Sequence, residues 1–106
     1  MLMNRVRTLS VALLLLPTFT AFAQSMGADT YKSKCQVCHG ATGLGDTPAG
    51  KAMKASPLNS PAVLKESDAE LTAVIKDGKN KMPSFNGKVS DDQIKDLVAY
   101  IHTLQK

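Results

Sequence analysis

The chain has 106 residues, 43% of them hydrophobic and 21% charged, and a formal charge of +4. That balance fits a globular protein rather than a disordered one, and the length admits one domain and excludes a multidomain enzyme. Two cysteines are too few for a disulfide-dense scaffold.

The first two dozen residues read as a segment apart. Arg5 and Arg7 make a basic start, Leu9 to Leu16 is apolar except for Ser10, and Pro17 is followed by the small-x-small triplet Ala21-Phe22-Ala23. This is the pattern of a secretory signal peptide over residues 1–23, cleaved before Gln24. The apolar run is far below the roughly 18–20 residues a spanning helix needs, so no stable membrane insertion is expected. A lipoprotein would need a cysteine where Gln24 stands. On this reading the domain covers residues 24–106 and works in the periplasm. Cleavage removes Arg5 and Arg7 and no acid, so the charge falls from +4 to +2. Only Tyr31, Phe85 and Tyr100 then remain as aromatics. So short a chain has a marginal core, and something besides its side chains is expected to fill it.

A first helix is expected from Gly27 to Val37. His39 to Asp46 holds three glycines and reads as loop. Pro48, Pro57 and Pro61 keep the chain irregular to about residue 62, with a short helical turn between Gly50 and Ala55. Ser67-Asp68-Ala69-Glu70 is a capping box: the serine oxygen accepts from the backbone three residues on, and the glutamate reaches back. Leu71, Val74 and Ile75 follow at helical spacing, and Gly78 stands where a left-handed C-terminal cap is wanted. Ser90-Asp91-Asp92-Gln93 is a second box, and its helix puts Ile94, Leu97, Val98, Ile101 and Leu104 on one stripe. No segment alternates with period two, so the domain is expected to be all-α, with long loops that need something to pack on.

The chemistry lies in Cys35-Gln36-Val37-Cys38-His39. C-x-x-C-H in an exported chain reads as covalent c-type haem attachment. Two cysteines three apart on a helical turn project to one side and can form thioethers with the two vinyl groups of one haem edge. His39 then sits over the iron and offers a neutral imidazole as axial ligand. A redox dithiol would want a preceding strand in a βαβ setting, and none is visible. A zinc site could draw on Cys35, Cys38, His39 and His102, but no second ligand knuckle follows the motif. A second axial ligand is sought among Met26, Met53 and Met82. Met26 is too near the attachment end, and Met53 lies between lysines. Met82 lies in a loop between two helices, with Pro83 pushing it toward extended backbone. That loop holds no other apolar neighbour but Phe85, so Met82 is expected to be a ligand rather than a core filler.

From Gly27 to Lys106 the chain resembles the class I monohaem c-type cytochromes, of the small soluble bacterial kind. Gly27 and Tyr31 match the glycine and aromatic of that family's first helix, although Thr30 departs from the usual leucine. Cys35, Cys38 and His39 match the attachment motif, Gly40, Gly43, Gly45 and Asp46 the loop after it, and Met82-Pro83-Ser84-Phe85 the distal segment. Leu97 to Ile101 resembles the last helix, which crosses the first. The resemblance implies a small cytochrome c-like domain of three to five helices wrapped around one covalently bound haem c. It implies that the carbonyl of Pro48 accepts the other N–H of His39 and that Phe85 belongs to the haem pocket. It implies a carrier of single electrons and no enzyme. Redox partner proteins would dock transiently at the haem edge, steered by a weakly positive rim of Lys79, Lys81 and Lys88, with Lys51 and Lys54 across the site. A monomer is expected, and no binding of nucleic acid. Two alternatives keep the haem: a subunit of a larger oxidoreductase, and a gas-sensing or peroxidatic site with a labile Met82.

Overall fold

The computed structural model describes residues 12–14 and 19–106, with side chains from Ser25 onward in the domain. The basic start and most of the apolar run of the expected signal peptide lie outside the described residues. Six helices follow in order: α1 (Phe19–Lys34), α2 (Gln36–His39), α3 (Pro48–Ala52), α4 (Pro61–Leu64), α5 (Asp68–Asp77) and α6 (Asp91–Leu104). Among the described residues there is no strand, only isolated bridges pairing Lys79 with Met82 and Asn86 with Val89. The all-α expectation holds. Its count of three to five helices grows to six because α2 and α4 are single turns of four residues.

Helices α1 and α6 form the main packing pair. Gly27 makes the close approach between them possible, because a Cβ there would run into the Asp96 carbonyl. One turn further along, the Tyr31 and Tyr100 rings meet at 5.2 Å and 57°, a tilted geometry that aromatic quadrupoles favour. The stripe of α6 is buried as expected: Ile94, Leu97, Val98 and Ile101 all lie in the core, with Leu71 and Ile75 from α5 against them. Both capping boxes form, Ser67 with Glu70 and Ser90 with Gln93.

The first helix differs from its expected span at both ends. It starts at Phe19, so the Ala23-Gln24 junction falls within it, and it ends at Lys34. Cys35 leaves regular helix geometry (φ −117°, ψ −34°) and caps α2. Prolines mislead in the middle of the chain. Pro48 and Pro61 are first residues of α3 and α4, where a missing N–H costs nothing. At Gly78 φ is +80°, as only glycine tolerates easily, but ψ of 167° makes it an extended exit and not a left-handed turn.

Candidate functional site

The turn Cys35–His39 is fixed from both sides. Cys35 N–H donates to the Tyr31 carbonyl at 2.9 Å, which continues α1, and His39 N–H donates to the Cys35 carbonyl at 3.0 Å. Gly45 N–H donates to the His39 carbonyl at 2.8 Å, folding the glycine loop back onto the motif. Thr47 Oγ1 reaches the carbonyls of Val37 at 2.7 Å and Cys38 at 3.2 Å while accepting from Gly50 N–H to cap α3. Gly50 is buried against Cys38, leaving no room for a side chain. Thr47 was not singled out in the sequence, although Thr before Pro is a recognisable start for a helix.

Met82 comes from the opposite side. Lys79 and Met82 exchange backbone hydrogen bonds of 3.1 and 2.9 Å around Asn80, whose φ is +54°. The loop is therefore a tight turn, and Met82 stands in its antiparallel bridge with Lys79, directly before Pro83. It is fastened to α5 by Phe85 N–H on the Ile75 carbonyl and Ser84 Oγ on the Lys76 carbonyl. Met82 and Phe85 are half-buried and pack against the core.

Between these two sides opens a cavity of about 340 Å³, within the range of pockets that hold small organic ligands. Cys35, Cys38, His39, Met82 and Phe85 all line it, on walls made largely of apolar side chains such as Leu58, Val63 and Leu71. Met53 also lines it, but from an exposed position, 51% accessible, at the end of α3. Met26 is not among the lining residues.

The electrostatics suit a neutral imidazole at His39 and a protonated thiol at Cys35. Burial holds His39 below its ordinary value, so the ring keeps a free lone pair at neutral pH. Burial, and then the neighbouring Cys38, pushes the Cys35 thiol up to about 11. A protonated, half-buried thiol is the reverse of the low-pKa cysteine that disulfide exchange uses. The zinc set does not assemble: His102 Nε2 sits 2.6 Å from Asp68 Oδ1, paired with the start of α5, and among the described residues no three His, Cys, Asp or Glu side chains gather as metal ligands.

Pro48 departs from its expected contact. It opens α3 beside the motif, but His39 Nδ1 is buried without any hydrogen-bond partner. The turn is held to the motif through Thr47 instead. The lysines also redistribute. Lys79 and Lys81 line the cavity, as do Lys34 and Lys54. Lys88 lies outside it, 6.0 Å from the centre of the Phe85 ring, and Lys51 is likewise not part of the lining. Lys79 pairs at 3.7 Å with Glu66, an acid at the rim that the sequence reading passed over.

The residues present fit a haem. Two cysteines and a histidine on one turn face an apolar slot, a thioether enters from the far side, and His39 carries an orphaned ring nitrogen. The fold and this site define a small monohaem c-type cytochrome of class I, an electron-transfer protein carrying covalently bound haem c rather than an enzyme.

Comparison with known proteins agrees. Residues 23–101 match the family described as cytochrome C oxidase, cbb3-type, subunit III. The chain is 35% identical over 96 residues to cytochrome c6 of Thermosynechococcus vestitus, covering 88% of this chain and 82% of the relative. It is 37% identical over 76 residues to cytochrome c6 of Synechococcus elongatus, covering 71% and 83%. A solved c-type cytochrome, KustC0563, superposes with a TM-score of 0.69 at 27% identity, covering 76% of this chain and 98% of that one. The reducing HAO-like protein complex of Kuenenia stuttgartiensis contains a chain that superposes at 0.71 and 27% identity, covering 92% of this chain and 50% of that one. The chain belongs to this c-type cytochrome family.

Proposed function

We propose that this chain is an exported, periplasmic carrier of single electrons, its haem attached through Cys35 and Cys38 and its iron held between His39 and Met82. The observation that carries the reading is the convergence of those four side chains on one apolar cavity. When bound, the haem supplies an iron that cycles between ferric and ferrous states by one electron. The cysteines fix the group covalently, so it is not lost on dilution. Leu58, Leu71 and Ile75, all nearly buried, exclude water from the cavity, which disfavours the extra positive charge of the ferric state. The Met82 thioether works in the same direction and raises the reduction potential. Phe85 belongs to this proposal as a lining residue of the same cavity as Met82.

Export rests on residues 1–23, with cleavage before Gln24. Among the described residues no helix is long and apolar enough to cross a membrane. Docking is transient, by a monomer, at the cavity mouth, where Lys34, Lys54, Lys79 and Lys81 supply a positive rim for acidic redox partners. Lys88 has the weaker claim of the three lysines first singled out. The test is a spectroelectrochemical titration of the exported protein. A single reversible one-electron wave supports the reading, and the absence of any redox-active haem overturns it.

A second reading is a haem domain working inside a larger oxidoreductase. The likeness to a chain of a reducing HAO-like protein complex, half of which this chain covers, favours it. Co-purification of a stoichiometric partner through gel filtration would select it.

A further inference from the structure

We propose that the Tyr31 hydroxyl positions and electrostatically tunes the haem site through the Gly40 carbonyl. The inference rests on His39 being an axial ligand. Tyr31 is the aromatic of the first helix, and its ring packing against α6 needs no hydroxyl. Yet the side chain is 1% exposed and lines the cavity, and its O–H donates to the Gly40 carbonyl at 2.6 Å. Gly40 directly follows His39. The backbone of Tyr31 meanwhile accepts from Cys35 N–H. One residue therefore holds the first and last members of the attachment turn, with its main chain at Cys35 and its side chain just beyond His39.

Position 40 is built for glycine. Its φ is +80°, and a Cβ there would meet Asp46 Oδ1 at 2.6 Å. The His39 carbonyl is held by Gly45 N–H, so both peptides that follow the His39 side chain are tethered. Burial raises the Tyr31 pKa well above its ordinary 10.0, so the group is a neutral donor. Its hydrogen places positive charge on the Gly40 oxygen in a region screened from water, where such dipoles act strongly. Without it the negative end of that carbonyl lies uncompensated one residue from His39. A buried, unpaired carbonyl favours the more positive ferric state, so the reduction potential falls. It also loosens the turn that orients His39.

The test uses three forms of the haem-loaded protein. Tyr31→Phe keeps the ring and removes the donor. Tyr100→Phe is the control for packing, since its ring meets Tyr31 without touching the motif's carbonyls. Incorporation of 3-fluorotyrosine into the Tyr100→Phe protein labels Tyr31 alone, because Tyr31 and Tyr100 are the only tyrosines, and makes its hydroxyl a stronger donor. At a fixed ambient potential, Tyr31→Phe is expected to raise the ferric-to-ferrous ratio several-fold with haem content unchanged. Tyr100→Phe is expected to leave the ratio unchanged, and the fluorinated form to lower it. An unchanged ratio in loaded Tyr31→Phe, or equal shifts in both phenylalanine variants, would overturn the proposal. If Tyr31→Phe does not fold, the fluorinated form decides: no shift, or a shift toward ferric, overturns it. Wild-type protein without haem refutes the carrier reading itself, a different outcome from any of these.

Discussion

At the scale of single residues, the site bears on the choice of Met82 over Met53 that the sequence already favours. Both line the cavity, but Met82 is half-buried and packed on the core, whereas Met53 is 51% exposed at the end of a short helix. Met82→Ala should abolish the weak far-red absorption of thioether-bound ferric haem and lower the potential, while Met53→Ala should leave both unchanged; redox titration with visible spectra checks this. His102 is held in a defined pairing away from the cavity. Gln105 Nε2 donates to the Leu58 carbonyl at 2.9 Å, so its Oε1 is the atom facing His102 Nδ1 at 2.9 Å, and the Asp68 carboxylate faces Nε2. Both ring nitrogens meet acceptors, which only imidazolium satisfies. The Asp68 hydrogen bond first, and the Gln105 bond second, raise the pKa above the ordinary 6.5. A raised folded-state pKa gives stability that is complete below 6.5 and lost as pH climbs through the folded value. Thermal melts should therefore show wild type losing stability from just above pH 6.5 upward, and His102→Gln lacking that slope. The effect should be small, since both partners are largely exposed.

At the scale of elements, what was legible followed local chemistry. Ser67-Glu70 and Ser90-Gln93 specify two helix starts within four residues each, and both boxes form as read. Ser67→Ala should cost about 1 kcal/mol in chemical denaturation. The stripe from Ile94 to Ile101 was equally readable, because helical period alone decides it. Spacing singled out Cys35, Cys38 and His39, and the poverty of its loop singled out Met82; all four line one cavity. What was not legible depends on contacts between distant segments. Pro61 looks like a breaker until Ser60 is seen to precede a helical turn. The break at Cys35 has no periodic signal, and the grip of Thr47 on the Val37 and Cys38 carbonyls joins residues ten and nine apart. Gly27 could be matched to a family pattern, but its reason is the Asp96 carbonyl on a helix about seventy positions away. Gly27→Val should force α1 and α6 apart at a cost of about 1–3 kcal/mol, read as a lowered melting temperature.

At the scale of the molecule, charge and aromatic content acquire a meaning. With few large rings, the core depends on what fills the cavity between the Cys35–His39 turn and the Met82 turn. Protein expressed without haem should melt well below the loaded form, or fail to fold, because the cavity walls lose their contacts. The net charge is modest, so the proposed docking turns on where the lysines stand rather than on their number. Electron exchange with an acidic partner should slow as salt rises, and Lys81→Gln should slow it at low salt more than Lys88→Gln, by stopped flow. The most direct test of the whole is a visible spectrum of the exported protein, ferric and ferrous, with an alkaline pyridine spectrum of the same sample. A low-spin spectrum with the far-red thioether band, and a haemochrome typical of two thioether links, is the predicted result. A high-spin ferric spectrum would contradict the Met82 ligation, and the absence of any haem signal would contradict the assignment of the site.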